Sequence, residues 1–355
     1  MGEIFKSISS IDEISSAWVT SLLEPQFPGT VVKSAYLGTV IRGTATKVRL
    51  LLDYNQAGHE HRLPPTLWLK AGLESHGASE QMRAIYAGEA LFYRDIAPGL
   101  DLGLPRGFAA VFDDATGQSY LLLEDLLARH VRFGHSSTVI TPDEAVRVLD
   151  LQAKLHARYW GSDALARFEW LQGGGAMGKS GVHDLTYSPE IWDRCRSLPR
   201  GRFMAGKLGD RTQMHGVMER LLRYDLDHAH CLVHGDAQLM NMYFTPDATP
   251  GYLDWQTAMH GFWAHDVTEF IVTALSVEDR RRSERALVNA YVEALERYGV
   301  VALSAESAWA EYVRHTAYTF HWVLCQPEWQ PEDVCLLNSE RACAAIVDHS
   351  SVDAW

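Results

Sequence analysis

Three side chains with oxygen atoms that can bind a metal or accept a proton occur close together in the second half of the chain. The carboxylate of Asp236 and the amide of Asn241 belong to the run HGDAQLMN, which starts at His234, and the carboxylate of Asp254 follows. Phosphoryl transfer needs a group that orients and deprotonates a hydroxyl, oxygen ligands for a metal ion and a cation that positions the phosphates. These residues offer the first two of those groups.

The spacing in this run is that of the kinase catalytic loop H-R-D-x-x-x-x-N, with glycine in place of arginine. It predicts Asp236 as the base and Asn241 as a magnesium ligand. Asp254 follows a strand-like Tyr252-Leu253, where kinases carry the metal-binding aspartate of D-F-G, and here the run reads DWQ. Two oxygen ligands, completed by phosphates and water, suit Mg²⁺. The sequence therefore predicts ATP and Mg²⁺ as cofactors.

The chain resembles the aminoglycoside phosphotransferase and ecdysteroid-kinase-like family, relatives of the choline kinases with a protein-kinase-like fold. The resemblance spans nearly the whole chain. It is carried by the HGD run with its asparagine, by the pair DW that starts at Asp254, and by the run GFWAHD that ends at Asp266, which matches the family pattern G-x-W-x-x-D. The resemblance implies that His234 and Asp266 support the catalytic loop without taking part in the chemistry.

A lysine and a glutamate upstream occur in the order that phosphate positioning requires. Lys70 ends the strand-like run LWLK, and Glu89 on the next predicted helix is its expected ion-pair partner, with Glu80 as an alternative. Gly43 and Thr44 lie in a turn between two predicted strands, at the place of a nucleotide-covering loop, although the run is not G-x-G-x-x-G. We expect all of these except Glu80 to serve nucleotide binding.

The alternation of apolar residues predicts a strand-rich first part of the chain and a helix-rich remainder. Strands are predicted at 31–37, 45–53, 66–70, 107–112 and 119–123, and one helix at 79–96. Further helices are predicted at 141–160 and from 267 onward, with short strands at 231–233, 242–244 and 252–253. The run EDL at 124–126 interrupts the last strand, which predicts a boundary there.

The predicted fold class is therefore α+β, and the resemblance implies a bilobal protein-kinase-like fold. A small lobe at 1–123, with an antiparallel sheet and one helix, is expected to bind the nucleotide. A larger, mainly helical lobe at 124–355 is expected to carry catalysis and substrate binding, with a hinge at 124–126. The resemblance places the peptide groups of Glu124 and Leu126 beside the adenine.

Residues 161–202 are rich in glycine and are predicted to be irregular. We expect a small-molecule hydroxyl acceptor between this insert and the C-terminal helices, because the short distance from Asp254 to Asp266 excludes a protein-kinase activation loop. Five acidic residues suggest an aminoglycoside-like acceptor: Asp184, Glu190, Asp193, Glu269 and Asp279. Six aromatic residues suggest an apolar or mixed alcohol, which is slightly favoured: Tyr159, Trp160, Trp170, Trp192, Trp263 and Trp322.

Composition limits the partners and the compartment. The chain has 355 residues, of which 47% are hydrophobic, so it is long enough for two lobes. A formal net charge of -13 opposes binding to nucleic acids and to anionic membranes. The five cysteines are odd in number and contain no C-x-x-C pair, which argues against a disulfide framework. No apolar run approaches the ~20 residues that cross a bilayer. We expect a soluble, cytoplasmic protein with no nucleic-acid or membrane partner.

Two other functions fit parts of the sequence. His228, His230 and His234 near Asp236 are potential ligands of a zinc metallohydrolase, but that function leaves Asp254 unexplained. The other alternative is a catalytically silent, nucleotide-binding pseudokinase. Such proteins have typically lost the catalytic aspartate or a metal ligand, and this chain retains both.

Overall fold

The computed structural model describes residues 6–43, 45–73, 80–113, 115–138, 140–204 and 208–355. The chain forms two compact units, Met1–Leu100 with Leu104–Val131 and Asp101–Gly103 with Arg132–Trp355. The predicted hinge at 124–126 and the division at residue 123 stay predictions.

The first unit is built on a five-stranded antiparallel sheet with the strand order β1-β2-β3-β5-β4. Its elements are α1 (Ser16–Leu23), β1 (Val32–Arg42), β2 (Thr46–Tyr54), α2 (Gln56–Glu60), β3 (Thr66–Ala71), α3 (Glu80–Asp95), β4 (Gly107–Asp113) and β5 (Gln118–Glu124). Short 3-10 turns lie at Ile11–Glu13, Ala97–Gly99 and Leu126–Arg129. The five predicted strands and the predicted helix are confirmed.

The prediction of a single helix in this part of the chain is wrong, because α1 and α2 precede α3. The side chain of Ser15 accepts the N–H of Trp18 and caps α1. Trp18 and Leu22 of α1 are buried in the same core as the inward-facing residues of β2. Residues of β2 alternate between buried and more exposed positions, which is the pattern of a sheet with one face against a core.

The second unit is mainly helical and contains two small sheets, with strand orders β10-β7 and β6-β8-β9. Its strands are β6 (Arg132–Phe133), β7 (Cys231–Val233), β8 (Met242–Phe244), β9 (Pro250–Tyr252) and β10 (Met259–Gly261). Its helices are α4 (Pro142–Tyr159), α5 (Gly175–Ser180), α6 (Val182–Thr186), α7 (Pro189–Ser197), α8 (Arg211–Asp227), α9 (Ala264–Ala274), α10 (Val277–Arg297), α11 (Ala305–His315), α12 (His321–Leu324) and α13 (Glu332–His349). Together with the first unit, this architecture confirms the predicted α+β class.

The prediction that the segment 161–202 is irregular is wrong. The segment contains α5 to α7 and several 3-10 turns. Those turns lie at Asp163–Leu165, Glu169–Leu171 and Pro199–Met204. Gly174 and Gly181 adopt positive φ angles next to the short helices: Gly174 directly precedes α5, and Gly181 ends α5 and directly precedes α6. Ser188 caps α7, and Pro189 occupies its first position.

Helix α9 lies at the centre of the second unit, and every one of its residues is buried. A helix buried on all sides needs partners for its polar side chains. Two of those side chains, Asp266 and Glu269, reach the predicted catalytic loop or its surroundings, as shown below. Among the described residues, no helix is both long enough and apolar enough to cross a membrane. All five cysteines are buried free thiols.

Candidate active site

The run HGDAQLMN connects β7 to β8 and ends in a 3-10 turn, Leu239–Asn241. Strand β8 pairs with β9 in antiparallel register, with Met242 opposite Tyr252. The pairing continues past the strands, because the N–H of Leu253 donates to the carbonyl of Asn241 over 2.8 Å. Asn241 and Asp254 therefore lie at the same end of this small sheet, as a site built from both residues requires.

Two amide groups hold the carboxylate of Asp236. The Nδ2 atom of Asn241 donates to Oδ2 of Asp236 over 2.7 Å and to its backbone carbonyl over 2.9 Å. The Nε2 atom of Gln238 donates to Oδ1 over 2.9 Å and to Oδ2 over 3.2 Å. Hydrogen bonds from neutral amides fix the orientation of the carboxylate and keep it able to accept a proton.

The surroundings of Asp236 raise its pKa. Desolvation by the surrounding protein is the largest cause, although the side chain keeps some exposure, and repulsion from the carboxylates of Glu269 and Asp254 adds to it. The rings of His234 and His321 act in the opposite direction. A base whose pKa is moved toward neutrality is better matched to proton transfer at ordinary pH than a free aspartate.

Asp266 anchors the start of the loop. Its two oxygens accept the backbone N–H groups of His234 over 2.7 Å and Gly235 over 2.9 Å. The Nε2 atom of His156 lies 3.3 Å from Oδ2. Burial alone would raise the pKa of Asp266, but the hydrogen bond from His156 and the charges of the neighbouring histidines hold the pKa below its usual value. The loop therefore starts on a buried, ionised carboxylate.

His234 ties the loop to the strand that precedes Asp254. Its Nε2 atom lies 2.8 Å from the carbonyl of Leu253, and a carbonyl only accepts, so Nε2 carries the hydrogen. Its Nδ1 atom is then an acceptor and receives the N–H of Asp236 over 3.3 Å. Both ring nitrogens are thus used in backbone contacts.

Gly235 explains the departure from the H-R-D pattern. Its φ angle is +82°, and a Cβ atom there would lie 2.2 Å from the carbonyl oxygen of Thr257. The hydroxyl of Thr257 also donates to the carbonyl of His234 over 3.0 Å, so this backbone is held close to the loop. Only glycine fits both the conformation and the space.

Asp254 adopts a left-handed conformation, with φ 60° and ψ 67°, at the start of the 3-10 turn Trp255–Thr257. Aspartate tolerates this region better than most residues, but the conformation still costs of the order of 1 kcal/mol and occurs most often at functional sites. Because Nδ2 of Asn241 is used by Asp236, the Asn241 atom left for a metal is Oδ1. A carboxylate and an amide oxygen form a donor set that fits a hard cation such as Mg²⁺.

Within the first unit, Lys70 on β3 and Glu89 on α3 form a buried ion pair, with Nζ and Oε2 separated by 2.6 Å. Gly43 follows β1, and its N–H lies 3.3 Å from the carbonyl of Ala45. A Cβ atom added to Gly43 would meet nothing within 4 Å, so no steric contact requires a glycine there. Thr44 lies outside the described residues.

The predicted hinge residues have separate structural surroundings. The side chain of Glu124 accepts the N–H of Arg106 over 3.1 Å, and Leu126 is buried at the start of a 3-10 turn. Between them lies Asp125, which the sequence interpretation did not assign. Its carboxylate receives Nε of Arg49 over 2.7 Å and Nε1 of Trp68 over 3.2 Å. An aspartate directly before a short helical turn is a typical N-cap, so the sequence did contain a signal for Asp125.

Two further residues beside Asp236 come from the C-terminal half. Glu269 is fully buried; its Oε1 accepts Nε1 of Trp322 over 2.8 Å, and Nε2 of His321 lies 3.6 Å away. Desolvation raises the pKa of Glu269 to about 7, and burial lowers the pKa of His321. The sequence interpretation named Glu269 only as a possible acceptor contact and assigned no role to His321.

The other residues proposed for the acceptor occupy varied positions. Asp184, Glu190 and Asp193 are exposed, whereas Asp279 is partly exposed. Trp192, Trp263 and Trp322 are buried in the core, and Tyr159, Trp160 and Trp170 are half-buried.

The histidines of the zinc alternative are used in other ways. Nδ1 of His228 lies 2.9 Å from the carbonyl of Tyr224, and Nδ1 of His230 lies 2.6 Å from the carbonyl of His228. In the part of the chain that the structure describes, these two residues and His234 do not converge as a group of metal ligands.

A known protein family matches the central part of the chain. A family model described as "Phosphotransferase enzyme family" matches residues 99–303, which is more than half of the sequence. No curated protein sequence matches the chain.

Several solved structures are similar to this chain at low sequence identity. A spectinomycin phosphotransferase in complex with ADP and spectinomycin has a TM-score of 0.48 at 12% identity, covering 94% of this chain and 99% of its own. An aminoglycoside phosphotransferase has a TM-score of 0.48 at 14% identity, covering 93% and 98%. The choline kinase of Streptococcus pneumoniae has a TM-score of 0.47 at 12% identity, covering 93% and 98%. All three TM-scores are below 0.5, so the family of this chain is established by the family model and not by these structures.

Proposed function

The chain belongs to the phosphotransferase enzyme family, and we propose that it is an ATP-dependent kinase that phosphorylates a hydroxyl group of a small molecule. The observation that carries this proposal is the arrangement of Asp236, whose carboxylate is held by the amides of Asn241 and Gln238. A carboxylate with a raised pKa, next to two oxygen ligands for a cation, meets the needs of phosphoryl transfer.

In the proposed reaction, Asp236 accepts the proton of the acceptor hydroxyl. The hydroxyl oxygen forms a bond to the γ-phosphorus of ATP, the bond from that phosphorus to the β–γ bridging oxygen breaks, and ADP leaves with the electron pair. Asn241 and Gln238 keep the carboxylate oriented before and during the transfer. General base catalysis of this kind contributes about 10²–10⁴ to the rate.

Magnesium, when bound with ATP, neutralises charge on the phosphates. Oδ1 of Asn241 and the carboxylate of Asp254 are the proposed ligands, which their position at one end of the β8–β9 pair supports. We assign Lys70 to the phosphates of ATP and Glu89 to holding that lysine, because their buried ion pair fixes the ammonium group. The peptide groups of Glu124 and Leu126 and the turn at Gly43 and Thr44 remain proposed nucleotide contacts.

His234 and Asp266 are proposed to position the loop rather than to react. Their contacts support this role, since Asp266 accepts the backbone of His234 and Gly235, and His234 uses both ring nitrogens on backbone atoms. Neither contact requires a proton to move during the reaction.

A small acceptor is favoured over a protein substrate by the short segment that follows Asp254. Only a 3-10 turn and strand β10 separate Asp254 from α9, and all of these residues are described. A protein kinase has a long activation segment at this place to hold its substrate. The burial of three of the six candidate aromatic residues weakens the case for an apolar pocket, so both acceptor classes need testing.

The experiment is a screen of hydroxyl compounds with Mg-ATP, read by the mass of the products. The panel contains aminoglycosides, amino alcohols, sugars and steroidal alcohols. A gain of one phosphate by a panel compound, lost in Asp236→Ala and kept in the exposed control Asp227→Ala, supports the proposal. ATP binding without phosphate gain by any acceptor would instead support the pseudokinase alternative.

A further inference from the structure

A second cluster of potential metal ligands lies outside the candidate active site, on helices α6 and α8. His183 and Asp184 are adjacent on α6, and His215 lies on α8. One ligand atom from each residue lies within 4.8 Å of the other two, and Nε2 of His215 is 3.7 Å from Oδ1 of Asp184. We propose that these three side chains form a binding site for a zinc ion that links α6 to α8.

The distances are close to those of a bound ion. Zinc binds histidine nitrogens and carboxylate oxygens at about 2.0–2.2 Å, so tetrahedral ligand atoms lie roughly 3.4 Å apart. The contact between His215 and Asp184 already has nearly this length. The other pairs of ligand atoms in the cluster lie within 4.8 Å of one another.

One nitrogen of each histidine ring is buried without a hydrogen-bond partner. Nε2 of His183 and Nε2 of His215 are both buried atoms that make no hydrogen bond. Buried polar atoms are normally satisfied, and each exception calls for an explanation. A metal ion between the two rings supplies a partner for both atoms at once. The two rings are already close, with centroids 5.4 Å apart and ring planes tilted by 37°.

The chemistry of the donor set selects zinc or a similar transition metal. Two imidazoles and one carboxylate suit a borderline cation, whereas magnesium and calcium prefer oxygen ligands alone. Glu219 lies one helical turn beyond His215 on α8, and its charge acts on the ring of His183. The carboxylate of Glu219 therefore adds negative charge near the proposed ion.

The position of the cluster gives the metal a structural role. Tyr187 follows α6 and stacks on the ring of His215, with centroids 5.2 Å apart. Tyr187 and Met214 belong to the same buried core, so the cluster lies at the rim of a packed interface between the two elements. A bound ion therefore stabilises the segment of short helices, α5 to α7, against α8.

This proposal does not depend on phosphoryl transfer, and its test uses zinc alone. The full-length protein is stripped with a chelator, and zinc affinity and stoichiometry are measured by competition with a chromophoric chelator. We expect one zinc per chain, with affinity lowered about tenfold or more in His183→Ala and in His215→Ala. Zinc is also expected to raise Tm in the wild type but not in these variants.

Two controls separate the cluster from other histidines and from the candidate active site. His228→Ala removes an exposed histidine at the end of α8, and Asp254→Ala removes the proposed magnesium ligand. Both are expected to keep wild-type zinc affinity. If an alanine variant is misfolded by circular dichroism, His183→Gln and His215→Gln replace it.

Cobalt provides an independent readout of the ligands. Co²⁺ bound to the cluster gives visible absorption bands that depend on its ligands, and we expect these bands to disappear in His215→Gln. The proposal is overturned if the stripped wild type takes up no zinc. It is also overturned if the variants at His183 and His215 bind zinc as tightly as the wild type.

Discussion

We expect Asp266→Asn to weaken both the folded state and the positioning of the catalytic loop. Asp266 is fully buried, and its oxygens accept the N–H groups of His234 over 2.7 Å and Gly235 over 2.9 Å. Asparagine has one side-chain oxygen, so its NH₂ group must face one of these two N–H donors. The substitution thus removes a charge and leaves one buried backbone donor without an acceptor.

The contacts of Asp266 set the size of the effect. An unsatisfied buried donor costs about 1–3 kcal/mol, and a hydrogen bond to a charged group contributes about 1.5–3 kcal/mol. Together the two effects amount to about 2.5–6 kcal/mol, a range that includes the roughly 3–5 kcal/mol usual for breaking a buried ion pair. Asp236 directly follows the two anchored residues, so a loosened loop also loosens the position of its carboxylate. A loss of about 1.4 kcal/mol of transition-state stabilisation reduces kcat tenfold.

The assay combines urea unfolding, followed by tryptophan fluorescence, with the turnover of the acceptor that the product screen identifies. Asp227→Asn is the matched control, because Asp227 is exposed at the end of α8 and was not proposed for any site. We expect the control to lose less than about 1 kcal/mol. The reasoning is refuted if Asp266→Asn changes the free energy of unfolding by less than about 0.5 kcal/mol and leaves kcat unchanged.

Three further substitutions test other parts of the account. Burial holds the pKa of Glu269 at about 7, so the folded chain keeps a proton that the unfolded chain loses, and stability should fall as pH rises from about 4.5 to 7. In the wild type this pH-dependent fall in stability amounts to about 3 kcal/mol, and we expect Glu269→Gln to lack it. Curves of stability against pH that run parallel for variant and wild type would contradict this prediction. Gly235→Ala brings a Cβ atom to 2.2 Å from the carbonyl of Thr257 at positive φ, and we expect calorimetry to show a loss of about 2 kcal/mol or more. Lys70→Ala removes one charge of the buried pair with Glu89. We expect a stability loss of about 3–5 kcal/mol and weaker ATP binding by titration calorimetry. Unchanged affinity for ATP would disprove the assigned role of Lys70.

Local patterns in the sequence predicted much of the fold. The alternation in Thr46–Tyr54 and the apolar period of the segment that forms α3 are strong signals, and both elements occur where they were expected. The short helices α5 to α7 were missed because glycine was interpreted as a sign of irregular chain. In the structure, Gly174 and Gly181 instead mark the boundaries of α5 and α6. Helix α7 begins at a single capping residue, Ser188, which is a weak signal in the sequence.

The spacing of HGDAQLMN pointed to the site, whereas its supporting contacts come from distant parts of the chain. Asp266 reaches the loop only because α9 is buried beside it, and Gln238 was an unassigned position within the run itself. Glu269 and His321 lie in different helices and meet near Asp236 through packing, which no local pattern encodes. The family could therefore be predicted from the sequence, whereas the electrostatic surroundings of Asp236 could not.

The most direct test of the central claim is the rate of phosphoryl transfer by Asp236→Ala, measured together with ATP affinity. The wild type and the variant are compared with Mg-ATP and the acceptor that the product screen identifies. The account predicts a fall in kcat of about 100-fold or more, with ATP binding within about twofold of the wild type. Transfer by the variant at close to the wild-type rate would contradict the assignment of Asp236 as the base.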